Sequence, residues 1–106
     1  MNKCILLGNL CKEPELRQTQ SGTAVCNFSI AVRRRFIKDG QPDADFINCT
    51  AWQNTAEFIC KYFHKGSPIA VVGELRSESW ENQEGKRQYS VSVNVDEAHF
   101  AGVNNR

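Results

Sequence analysis

Apolar residues recur at every second position through most of this chain, and only once, over residues 54–63, do they fall at helical spacing. A period of two marks a strand with one buried face, and a period near 3.6 marks a helix. The predicted order is therefore β-β-β-α-β-β. The first run, residues 3–10, is almost continuously apolar at Ile5, Leu6 and Leu7. That predicts a strand covered on both faces, by its own core and by a partner subunit. Pro14 and a Ser21-Gly22 turn separate it from residues 24–35, where Cys26, Phe28, Ile30 and Val32 alternate with Asn27, Ser29, Ala31 and Arg33. Asp39-Gly40-Gln41-Pro42 predicts an exposed hairpin tip. In the third strand, residues 45–52, Ile47, Cys49 and Ala51 share one face, while Phe46, Asn48, Thr50 and Trp52 share the other.

Asn54-Thr55-Ala56-Glu57 reads as an N-cap with a glutamate at the third helical position, ahead of Phe58, Ile59, Tyr62 and Phe63. Lys61, His64 and Lys65 are expected in the last turn, and Gly66 supplies a left-handed stop. Pro68 starts the return to strand. Residues 69–75 and 89–95 form the fourth and fifth strands, joined by a turn at Asn82-Gln83-Glu84-Gly85. A length of 106 residues suits one domain spanning 1–106. Five strands with one helix between the third and fourth is the order of an all-β, five-stranded OB-fold barrel. Fold order does not dictate function, so the surface residues must supply the rest.

The formal net charge is only +1, but its distribution is uneven. Residues 1–38 hold seven cations (Lys3, Lys12, Arg17, Arg33, Arg34, Arg35, Lys38) against Glu13 and Glu15, and the remainder is net acidic. Five cysteines, an odd number without a C-x-x-C pair, predict reduced thiols packed as small hydrophobes, above all Cys4, Cys26 and Cys49. That usage suits the cytoplasm. No apolar stretch approaches the roughly 20 residues that span a bilayer, and the amino terminus has no signal-peptide pattern.

Sequence-tolerant binding of single-stranded nucleic acid needs cations along the phosphates and rings on which bases stack. Both are interleaved here: Arg33-Arg34-Arg35 leads into Phe36 and Lys38, Arg76 precedes Trp80, and Lys86-Arg87 leads into Tyr89. Phe46 and Trp52 fit either stacking or half-buried packing, and Phe28, Phe58 and Phe63 are assigned to the core. Trp80, between Ser79 and Glu81, has little structural reason to be there and is assigned to binding. Strict alternation turns Arg33 and Arg35 to one side and Arg34 to the other, so two of the three are expected on phosphate. His64 is read as a helix-end cation and His99 as lacking a carboxylate or nucleophile to organise it. A nuclease site built from Asp43 and Asp45, or from Glu78, Glu81 and Glu84, would need a more specific spacing. The expectation is a binding protein with no catalytic residue, metal or cofactor. The competing reading is an OB-fold module that binds protein partners in a replication assembly, since aromatics and arginine also favour protein interfaces.

Asn2-Lys3-Cys4-Ile5-Leu6-Leu7-Gly8-Asn9-Leu10, Pro14-Glu15-Leu16-Arg17, Gly22-Thr23-Ala24-Val25, Asp45-Phe46-Ile47-Asn48-Cys49, Phe63-His64-Lys65-Gly66 and Gly73-Glu74-Leu75-Arg76 followed by Trp80 resemble, in order and spacing, the single-stranded DNA-binding protein family of bacteria and their phages. The resemblance implies a homotetramer of OB-folds with the first strand at a dimer interface. It also implies protection of single-stranded DNA during replication, recombination and repair. Its stacking positions fall on Phe36, Phe46, Trp52 and Trp80. Its basic positions fall on Lys3, Arg33, Arg35, Arg76 and Arg87, and more loosely on Lys12, Arg17, Arg34, Lys38 and Lys86. Members usually continue into a Gly/Pro/Gln-rich linker and an acidic tail that recruits replication and repair enzymes. Nothing like it follows Gly102, which fits either a trimmed chain or a natural short form and puts tail-borne recruitment in doubt for this chain.

Overall fold

Among the described residues, six strands and one helix follow one another as β1 (Cys4–Leu10), β2 (Glu15–Gln18), β3 (Ala24–Arg33), β4 (Ala44–Trp52), α1 (Gln53–Tyr62), β5 (Pro68–Glu81) and β6 (Arg87–Phe100). This is a computed structural model, and it describes residues 1–102. Residues 103–106, where the sequence predicts no element, lie outside the described residues. The mostly-strand class holds, with its single helix standing between β4 and β5. The sixth strand is β2, which pairs with β3 so that Leu16 lies opposite Cys26. All four residues of β2 are exposed, so it carries no apolar alternation by which a sequence could reveal it.

The sheet runs β1-β5-β6-β4-β3-β2, and a further pairing of β1 with β3 closes it on itself. β1 makes both contacts: Cys4 through Asn9 pair with β5, and Asn9 and Leu10 pair with Ala31 and Ile30 of β3. Its inward residues Leu6, Gly8 and Leu10 reach the core, while Ile5 and Leu7 stand 70% and 60% exposed. Within this chain β1 is thus covered on one face only.

The core fills with the residues expected of it, including Phe28, Ile30, Phe63 and the thiols of Cys26 and Cys49, with Cys4 and Phe58 packed against it. α1 closes the ring by burying Ala56 and Ile59. Its start differs from the expectation. Trp52, still extended, is the N-cap without a side-chain bond, and Asn54 lies inside the helix. The chain turns directly from β4 into α1, and Gln53 makes that corner at φ 55, a left-handed conformation costing a non-glycine residue roughly 1–2 kcal/mol. With no loop between strand and helix, no position is left for Asn54 to cap. Only Lys61 occupies the last turn; His64 and Lys65 follow the helix end. Gly66 does take the left-handed stop, at φ 89.

β5 and β6 outrun the predicted spans, at 14 residues each. Past Leu75 every residue of β5 is exposed, so this hairpin projects as an arm. Its polar run Ser77-Glu78-Ser79 hides the strand from any reading based on burial.

Candidate nucleic-acid interface

On the outer face of β3 and β4 the register sets Phe46, Asn48, Thr50 and Trp52 opposite Ala31, Ser29, Asn27 and Val25. The predicted alternation of β4 is therefore observed, with Cys49 and Ala51 buried behind it. Side chains bond across the strands: Ser29 Oγ donates to Asn48 Oδ1 at 3.1 Å, and Thr50 Oγ1 donates to Asn27 Oδ1 at 3.0 Å. β6 runs parallel beside β4 with Asn94 next to Thr50, and Trp52 Nε1 donates to Asn94 Oδ1 at 3.0 Å. The result is a polar wall in which three amide oxygens are occupied and the rings stand clear.

The same face continues onto the arm. Glu74 pairs with Asn94, Arg76 with Ser92 and Trp80 with Gln88, so Arg76 and Trp80 share the side that carries Trp52. Trp52, Arg76 and Asn94 line an open groove of about 370 Å³. A second groove of about 630 Å³ crosses β2, β3 and β4 past Lys12, Arg17, Asn27, Ser29 and Asn48. Phe46 and Trp52 lie six residues apart along one strand, roughly 20 Å. Phe46 is 71% exposed and Phe36 80%, a large apolar area to leave bare on a polar surface.

The arginine triplet divides. β3 ends at Arg33, so the alternation expected to carry on to Arg35 stops there. Arg33 lies on the outer face opposite Ala44. Arg34 binds Asp45 Oδ1 through both Nε at 3.1 Å and Nη2 at 2.8 Å, which holds the Asp45 carboxyl below its ordinary range. Arg35 lies in the β3–β4 loop with its guanidinium 5.5 Å from the Phe36 ring centroid. Among the described residues Arg33 and Arg35 have no carboxylate partner, unlike Arg34.

Other predicted positions are placed differently. Arg76 is paired with Glu74 at 2.9 Å, an exposed bond that costs little to exchange for phosphate. Arg87 pairs with Glu81, and Tyr89 with Ser79, on the opposite side of the arm from Trp80. The structure therefore does not bring Arg87 and Trp80 onto one face, although both stand near the arm's tip. Lys3 is exposed one residue ahead of β1. Asn27, Ser29, Asn48, Thr50 and Asn94 were visible as non-core positions, but their pairing depends on register, which sequence periodicity does not supply.

The histidines also have partners. His64 Nδ1 lies 2.8 Å from Glu13 Oε2, and the Lys65 amide donates to Glu13 Oε1 at 3.0 Å. That amide bond first, and His64 second, hold Glu13 below the usual glutamate range. His99, expected to lack a carboxylate, sits 3.0 Å from Glu97. Asp45, suggested as a metal ligand, is occupied by Arg34. Among the described residues no cluster of three His, Cys, Asp or Glu side chains could hold a metal ion, and no helix is long and apolar enough to cross a membrane.

Residues 1–101 match the model of a family described as the single-strand binding protein family. The chain is 46% identical over 106 residues to the single-stranded DNA-binding protein of Clostridium perfringens, covering 99% of this chain and 69% of that protein. It is 44% identical over 101 residues to the protein of that name from Bacillus cereus, and 41% identical over 101 residues to single-stranded DNA-binding protein A of Bacillus subtilis. Each of those two alignments covers 94% of this chain and 59% of the relative. The chain thus spans about three-fifths of the length of these two Bacillus relatives.

Proposed function

The chain belongs to the single-strand binding protein family, a non-enzymatic DNA-binding family of OB-fold proteins, and on that footing we propose that it coats single-stranded DNA irrespective of sequence. Bases stack on Phe36, Phe46, Trp52 and Trp80, while Lys3, Arg33, Arg35, Arg76 and Arg87 contact phosphate. Arg34 is left out of the phosphate set because Asp45 occupies it. Coating blocks re-pairing and nuclease attack during replication, recombination and repair, with the protein in the cytoplasm on the nucleoid. The observation that carries this reading is the polar wall itself: bare rings and cations share a face whose hydrogen-bonding groups are bonded across strands. Stacking is sequence-tolerant because every base has a π-face.

The exposed pair Ile5 and Leu7 supports a partner subunit on β1, and with it the homotetramer. Arg87 and Tyr89, on the far side of the arm, meet DNA if the strand rounds the hairpin tip.

Titration with poly(dT) at several salt concentrations, read by tryptophan fluorescence with duplex DNA as control, tests the reading. Quenching by the single strand alone, weakening with salt, is the expected result. No quenching and no oligonucleotide binding would reassign the rings to a protein-binding surface.

A further inference from the structure

The proposed DNA surface uses none of the five cysteines, yet two of them touch behind it. Cys26 lies within β3, opposite Leu16 of β2 and Ala51 of β4, with its side chain turned inward and no exposed surface. Cys60 lies near the end of α1 and is half-buried. Their sulfurs are 3.4 Å apart across a separation of 34 residues. Cys4, Cys11 and Cys49 are also free thiols, and among the described residues no other sulfur–sulfur hydrogen bond is formed.

We propose that Cys26 and Cys60 form a redox pair that closes to an intramolecular disulfide when the protein meets a low-molecular-weight disulfide, fastening α1 to β3 through the core. The sulfurs need to approach by little more than an ångström to reach bonding distance. Exposure orders the chemistry. Cys60, the thiol a reagent can reach, loses its proton to solvent and attacks one sulfur of the small disulfide, expelling a thiolate and leaving a mixed disulfide. Cys26 then gives its proton to that thiolate and attacks Cys60 Sγ, expelling the second small thiolate, which takes a proton from solvent. Two protein thiols are oxidised and one small disulfide is reduced to two thiols. Burial pushes the Cys26 thiol up to about 12, so the first attack falls to Cys60 and closure by Cys26 is the slow step. Two thiols that merely pack as small hydrophobes would not close in this way.

The test is incubation of the purified chain with oxidised glutathione, followed by peptide mapping without reduction and by thermal melting. The expected product is a peptide joining Cys26 to Cys60, with a melting temperature raised by roughly 5 °C or more and restored by dithiothreitol. Cys60→Ser should lose both effects. Glutathione adducts accumulating at Cys60 without the joined peptide would overturn the proposal, as would an equal rise in melting temperature in Cys60→Ser. The mapping is decisive on the unmodified chain even if that variant folds poorly, and neither readout depends on DNA.

Discussion

The indole N–H of Trp52, at the end of β4, donates to Asn94 Oδ1 of β6 at 3.0 Å. A ring that is 43% exposed is thereby held by its edge, with its remaining surface open to solvent. Asn94→Ala should free the ring. The expected outcome is a red-shifted, less polarised tryptophan emission and a loss of roughly 0.5–1.5 kcal/mol in single-strand affinity. The salt dependence should stay unchanged. Unaltered emission and affinity would mean that packing alone orients Trp52.

Trp80 and Arg35 should fail in different ways. Trp80→Ala is expected to weaken binding by about 1–3 kcal/mol at every salt concentration, because stacking releases no counterions. Arg35→Ala should mainly flatten the dependence of affinity on salt, by about one phosphate's worth of slope. Parallel titrations of the two variants against poly(dT) separate these behaviours, and a Trp80→Ala protein that binds like the original chain would remove that ring from the site.

Gly73 stands at the irregularity between β5 and β6, where a Cβ would collide with the backbone carbonyl of Asn94. That oxygen is held in the sheet and has little room to retreat. Gly73→Ala should destabilise the fold by about 1–3 kcal/mol, read as a lower urea midpoint. The displaced β6 should also disturb Trp52 emission, which Ala substitution at the exposed Gly102 should not.

Glu13 clamps the segment after β1 to the segment after α1 through the Lys65 amide and His64. Its carboxyl titrates lower in the folded chain than in the unfolded one, so the unfolded state takes up the proton first as pH falls. The clamp's contribution is full above the ordinary glutamate range, begins to fade below about pH 4.3, and is lost as pH passes through the lowered folded value. Glu13→Gln should therefore show a shallower acid limb in a plot of urea midpoint against pH. An identical limb would show that other carboxylates govern acid unfolding.

The parts of this fold legible in the sequence were those written in burial. The alternation of residues 45–52 put Phe46 and Trp52 on the outer face because Cys49 and Ala51 had to go inward, and the structure agrees. β2 escaped notice because none of its residues is buried, and the outer half of β5 because it is exposed throughout; in β6 it was the far end, residues 96–100, where Asp96-Glu97 breaks the apolar alternation. Asn54 looked like a cap from its local sequence, yet the direct corner at Gln53 overrode it. The side-chain contacts of Arg34 with Asp45 and His64 with Glu13 join residues 11 and 51 positions apart, the first brought together by the register of β3 on β4 and the second by the packing of the segment after β1 against the end of α1. Phe36 was noted beside the arginine triplet, but its stacking role came from the resemblance. In the structure it is the most exposed phenylalanine, and it lies beside Arg35.

The amide oxygens of Asn27, Asn48 and Asn94 are all taken up by neighbouring side chains. Besides the second lone pair of each oxygen, these asparagines still offer outward their N–H groups, and donors seek acceptors. The acceptors repeated at every step of a nucleic-acid strand are its phosphate oxygens, the same whatever base is attached. Ser29 and Thr50 give their only hydroxyl hydrogens within the wall, so both donors and acceptors there are held in one orientation before any strand arrives. The surface that the proposed strand would meet is thus fixed in advance by how the asparagines are wired to their neighbours.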